Sequence, residues 1–226
     1  MNTFLIIPTG LQRIWLRRYQ MSDDMKACRV HGYHNAMTLV GDAPEKKTPE
    51  GYIDSISEQV YADDPRWPAR CDCGKEFGPM EPFQVFTRSL YRKQTGVEMF
   101  TIEDAPVGSI WNAWWLKCNE LCGPDGQRLM CKLPGGHDWM IDGRANNCDS
   151  LCKSCGSAYH THNKDGACKR FVESHPHKCW VRTGTAGQAD FTVGKGKPGE
   201  SCGAGAGSII VPGWHGFLTG GMLKQC

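Results

Sequence analysis

No stretch of the sequence approaches the about 20 consecutive apolar residues that a membrane-spanning helix needs. The chain is therefore expected to stay out of the bilayer. Nor does the N-terminal segment read as a secretory signal, so none is expected there. Phe4-Leu5-Ile6-Ile7 is apolar, but Pro8, Thr9 and Gly10 end the run after four residues. A signal sequence needs an apolar region of roughly 7–15 residues, preceded by basic ones. Here Arg13, Arg17 and Arg18 follow the apolar patch. The expectation is an untranslocated protein with reduced thiols. A charge imbalance is lacking too: formal net charge is +2 over 226 residues. Bulk electrostatics thus select no polyanionic partner, and a nucleic-acid reading rests only on the Arg13/Arg17/Arg18 face. There is no fixed-period repeat and no heptad run.

A complete catalytic set is also absent. Gly194 to Ser201 follows the strand-like Phe191-Thr192-Val193 and has the glycines of a phosphate loop. Glu200 stands where that loop requires lysine, and a carboxylate there repels phosphate. Cys202 lies in a glycine-rich turn that suits a nucleophile, with His137 or His215 as its base. The same two histidines, each beside a tryptophan, combine with a cysteine or Asp142 into an open catalytic zinc site on paper. A metal- or cysteine-dependent hydrolase is accordingly the alternative reading; a plain packing loop at 201–208 is the simpler one.

What the sequence has in excess is cysteine, thirteen in all. An odd number does not close a disulfide framework, and clustered Cys and His in a reducing compartment read as metal ligands. The first constellation is Cys28 and His31, then Cys71 and Cys73 followed by Gly74. Zinc takes four tetrahedral thiolate and imidazole ligands, and ligand pairs one or two residues apart fit on tight turns. His34 rivals His31, since both lie near Cys28. The second constellation is Cys148, Cys152, Cys155 and Cys168, then His175, His177 and Cys179, with His160 and His162 as further candidates. Its expected ligands are Cys152, Cys155, Cys168 and Cys179. The segment is poor in aliphatics, so a metal would supply its missing folding energy. Zn2+ is the expected cofactor, one ion at the first cluster and a second at the second. Cys118 and Cys122 read as core thiols, or as ligands shared with Cys131.

Residues 3–20 suggest a strand and then a basic amphipathic segment. Residues 83–87 and 97–102 alternate at period two around a turn at 93–96, which predicts a hairpin. Short strands are expected at 129–133 and 139–141, and apolar pieces at 208–211 and 217–218. Pro106 and Ser109 suggest a helix start. On that helix Trp111, Trp114 and Trp115 share one face, as core or as a binding surface. The fold class expected is α+β, β-rich, with small antiparallel sheets and irregular zinc-ribbon-like loops. Residues 1–147 and 180–226 form the expected main domain, which contains the 28–73 site; 148–179 is a Cys/His-rich insertion.

Several segments resemble a family of proteins without assigned activity encoded by tailed bacteriophages. They are Asp104 to Trp115, Leu133 to Cys148, His177 to Gly184, Cys202 to Ile209 and His215 to Leu218. The likeness extends to the Cys28/His31 and Cys71/Cys73 pairs. The family often places two residues within the second pair, where this chain has only Asp72, and its 148–174 stretch is shorter. The resemblance implies a viral origin, with the host bacterial cytoplasm or the virion as location. The reading that follows is a zinc-stabilised phage protein that binds a phage or host protein, or serves as a minor virion component, without catalysis.

Overall fold

The computed structural model describes residues 1–20, 28, 33–47, 53–54, 64–78, 83–115, 123, 125–143, 179–195 and 207–226. Among them are fourteen strands, a single 3-10 turn at Pro134–Gly136, and no α-helix. The expected α+β class is thereby corrected to a β fold. The described residues fall into two compact units. The first comprises Met1–Ile7, Lys93–Gly96 and Ala105–Cys226; the second comprises Pro8–Arg92 and Val97–Asp104. One strand, β1 (Phe4–Tyr19), passes through both.

In the second unit β1 pairs antiparallel with β2 (Asn35–Pro44), with a bulge at Ile14/Trp15. On its other side lies β5 (Phe83–Lys93), which pairs with β6 (Met99–Phe100). The predicted hairpin at 83–102 is thus present. So is a period-two pattern on β1: Gln12, Ile14 and Leu16 are buried, while Arg13, Trp15 and Arg17 face the other way and are partly exposed. The basic residues belong to this single strand, with no separate amphipathic segment. Two short strands, β3 (Lys46–Lys47) and β4 (Ile53–Asp54), pair antiparallel.

The first unit holds a sandwich-like core. Phe4 and Leu5 of β1 run parallel to β7 (Ser109–Asn112). β7 then pairs with β8 (Leu129–Lys132), and β8 with β9 (Asp138–Met140). The second sheet has β10 (Val181–Thr183) against β11 (Thr192–Gly194), which pairs with β13 (Trp214–Thr219). β12 (Ile209–Val211) and β14 (Met222–Gln225) also pair with β13. Trp214, Gly216 and Leu218 point inward along β13, and His215 and Phe217 outward. Ile110, Leu129, Cys131, Leu133, Phe191, Ile209, Leu218 and Leu223 form one buried apolar cluster.

The predicted tryptophan helix is overturned here. Ser109, Ile110 and Trp111 lie in β7 and are all buried. A strand covered on both faces shows a continuous apolar run, and periodicity cannot tell such a run from a helix. The three tryptophans do not share a face. Trp111 is core, whereas Trp114 and Trp115 follow the strand in a turn, 47% and 38% exposed, and meet edge to face at 6.0 Å.

Candidate metal centre

Two short pieces of the second unit build the site. The first is the base of the β1–β2 hairpin. Tyr19 pairs with Asn35, and the next residue, His34, accepts a hydrogen bond at its carbonyl from the Gln20 N–H at 3.0 Å. This fixes the His34 backbone, and its ring is buried. Cys28, between the two strands in sequence, is also buried.

The second piece is a tight turn at Cys71-Asp72-Cys73-Gly74. The Gly74 N–H donates to the Cys71 carbonyl at 2.8 Å, and the Cys71 N–H to the Lys75 carbonyl at 2.8 Å. Gly74 has φ +93°, a region that disfavours side chains. Its surroundings are open, so backbone conformation and not space calls for glycine here. The flanks of the turn pair through Arg70 and Glu76, with a further bond from the Phe77 N–H to the Ala69 carbonyl. Arg18 of β1 latches this piece down: it donates to the Gly78 carbonyl at 2.6 Å and stacks over Phe77.

Cys28, His34, Cys71 and Cys73 meet there, with one ligand atom from each and all four within 4.8 Å of one another. Cys28 Sγ lies 3.7 Å from Cys71 Sγ, and Cys73 Sγ lies 3.2 Å from His34 Nδ1. A disulfide would bring two sulfurs to about 2.0 Å. Two thiolates on a tetrahedral zinc at about 2.3 Å sit about 3.8 Å apart, close to the Cys28–Cys71 spacing. The four residues can therefore hold one metal ion. Burial resists ionisation of Cys71, but the Cys73 N–H, the His34 ring and the Asn35 N–H outweigh it, and the thiol sits below its ordinary range. For Cys73 the Lys75 N–H favours the thiolate; desolvation and the neighbouring sulfurs of Cys71 and Cys28 prevail and raise it.

Among the sequence-predicted ligands, Cys28, Cys71 and Cys73 are brought together. The imidazole beside them is that of His34; His31 lies outside the described residues. Cys152, Cys155 and Cys168 also lie outside them, as do Cys118, Cys122, Cys148, His160, His162, His175 and His177. Cys179 is buried in the apolar cluster of the first unit, beside Trp180. Cys131 lies in the same cluster, and burial pushes its thiol up to about 12, with Asp138 adding to the effect.

Two of the alternative catalytic residues, His137 and Asp142, have partners elsewhere. His137 Nε2 lies 3.1 Å from the Pro212 carbonyl. Asp142 accepts from Arg182 Nε at 2.9 Å and from the Leu129 N–H at 3.0 Å. His215 is exposed on β13, and Cys202 lies outside the described residues. Among the described residues no second group of three or more Cys, His, Asp or Glu side chains converges. Sequence reading missed the clamp that Arg182 makes, whose guanidinium also grips Asp125. Its members are 57 and 40 residues from Arg182 in sequence, and no local pattern marks them.

The arginine face proves largely self-satisfied. Arg13 forms a two-pronged pair with Asp42 at 2.9 and 3.2 Å, and Arg17 donates to Asn35 and to the Tyr33 hydroxyl. Arg18 is committed to the metal-site turn. No helix among the described residues is long and apolar enough to cross a membrane. No protein-family model, no curated protein and no solved structure matches this chain.

Proposed function

We propose that the chain is a zinc-stabilised phage protein that works by binding another protein, with the metal as scaffold. The observation that carries the scaffold role is the four-residue cluster of Cys28, His34, Cys71 and Cys73. Three thiolates and one imidazole suit zinc, and four protein ligands fill its tetrahedron. No position then remains for an activated water or a substrate. The metal's task is to fasten the 69–78 turn to the base of the β1–β2 hairpin. Phage origin is supported by the motif resemblance at 104–115 and 133–148. The exposed Trp114/Trp115 pair supports a binding role, since aromatic anchors of this kind dominate protein interfaces.

X-ray absorption at the zinc edge tests the scaffold. A shell of three sulfurs at about 2.3 Å and one nitrogen at about 2.0 Å is expected. A light-atom ligand in place of a sulfur, with exchangeable water, would overturn it. In-cell cross-linking during infection tests the binding role. A specific cross-link to a phage or host protein is expected; a chain that stays uncross-linked in cells and virions contradicts it.

A further inference from the structure

The outward face of the second unit's sheet carries more than a solvated surface needs. Antiparallel register places Leu39 opposite Trp15, and Met37 opposite Arg17, so these four side chains share one face. Leu39 is 56% and Met37 51% exposed. Trp15 packs against Phe86 of β5 at 5.8 Å, and Arg88 stacks on Phe86 at 4.0 Å. Arg17 lies over the rings of Tyr19 and Tyr33 at 4.9 and 5.8 Å. The face is thus a continuous apolar and aromatic stripe edged by arginines. Protein interface cores are enriched in Trp, Tyr, Phe, Met and Arg, and this stripe is made of them.

The charges choose the occupant. Arg13 has Asp42 and Arg88 has Glu103 as carboxylate partners. Arg17 has neutral partners, the Asn35 amide oxygen and the Tyr33 hydroxyl. Among the described residues Arg17 thus has no carboxylate partner, and it stands beside the exposed Met37. A nucleic acid needs several such cations, because each phosphate contact exchanges for a released counterion. A second copy of the same face would offer Arg17 only Asp42 and Glu103, whose carboxylates are already paired with Arg13 and Arg88. We infer that this face docks a protein segment in which carboxylates alternate with apolar side chains, one carboxylate seated on Arg17 and the apolar groups on Leu39, Met37 and Trp15. The inference rests on the protein-binding reading above and gives it a place and a chemistry.

Fluorescence anisotropy with three labelled probes provides the test: a short peptide alternating Glu and Leu, its Lys-for-Glu counterpart, and an oligothymidine of similar length. The Glu–Leu peptide is expected to bind, and the Lys peptide not to. Arg17→Ala and, separately, Leu39→Ser should each weaken binding about tenfold. Leu39→Ser removes an exposed group, so unchanged circular dichroism and metal content serve as its folding control. Failure of the Glu–Leu peptide to bind overturns the inference, as does equal binding by wild type and both variants. Loss in Trp114→Ala with retention in Leu39→Ser would leave protein binding standing and move it to the other surface. Oligothymidine binding that needs Arg17 and falls steeply with salt would replace the peptide by a nucleic acid. Concentration-dependent self-association abolished by Leu39→Ser would replace it by a second copy of the chain.

Discussion

The two units hold their shapes by different means. The first closes two sheets over an aliphatic and aromatic cluster, with Phe191, Leu218 and Ile110 fully buried and Cys131 as one more apolar filler. In the second, an arginine latch ties the 69–78 turn to β1, and four side chains that can hold one metal ion meet between that turn and the hairpin base. Cysteine is thus two residues in chemical terms. In the first unit Cys131 is a small hydrophobe whose thiolate is suppressed; in the second the Cys71 thiol is held below its ordinary range by hydrogen bonds to its sulfur. What surrounds the sulfur decides its role: apolar side chains in one case, backbone N–H groups and an imidazole in the other.

The contrast breaks most visibly on chelation. Metal removal should erase amide-exchange protection at Cys71, Gly74 and Phe77, whose bonds sit in the metal-site turn, and leave Ile141, Gly221 and Leu223 protected. Uniform loss across both sets would mean that the units do not differ in this way. Next in size is Phe191→Ala, which empties the first unit's core and should cost about 3–5 kcal/mol by denaturant titration. A loss below about 1 kcal/mol would deny Phe191 a core role. The zinc content of this variant should not change.

Arg182→Met should cost about 3 kcal/mol, because it strands Asp142 in a buried site. The pH dependence carries the signature. Burial already raises the Asp142 carboxyl, against the pull of the Leu129 N–H and Arg182. Without Arg182 it should rise further, so the folded state binds its proton more readily than the unfolded state. Stability of the variant relative to wild type should therefore recover as pH falls, and a deficit that widens toward acid would contradict the clamp. The smallest effect belongs to Tyr91 in the second unit. Burial, helped by Glu45 and Glu103, pushes its phenol up to about 12. Its contribution is whole below the ordinary value of about 10 and is lost as pH rises through the folded value. Tyr91→Phe should flatten the alkaline fall in melting temperature; an unchanged slope would remove Tyr91 as its cause.

Several local features were legible in the sequence, and the long-range closures were not. The β5–β6 hairpin follows from alternation at 83–87 and 97–102. The Cys71/Cys73 turn follows from close-set thiols before a glycine. Those signals lie within a few residues. Trp111 misled because Ile110 and Trp111 are buried on both faces of β7, which removes the period-two signature that would have marked a strand. The imidazole of the site was ambiguous between His31 and His34 for a related reason. The Cys28-x2-His31 spacing pointed to His31, with His34 as its rival; the end of β1–β2 pairing at Tyr19/Asn35 sets His34 beside the cluster. Arg182, Asp125 and Asp142 carry no local pattern at all. The docking face was hidden similarly: Leu39 and Met37 look ordinary until strand register sets them against Trp15 and Arg17.

Zinc content per chain, measured on the native protein and on Cys71→Ser and His34→Ala, tests the central claim most directly. Each substitution should lower the content by one equivalent and leave any metal bound elsewhere in place. Unchanged zinc in both variants would contradict the assignment of Cys28, His34, Cys71 and Cys73 as a metal centre.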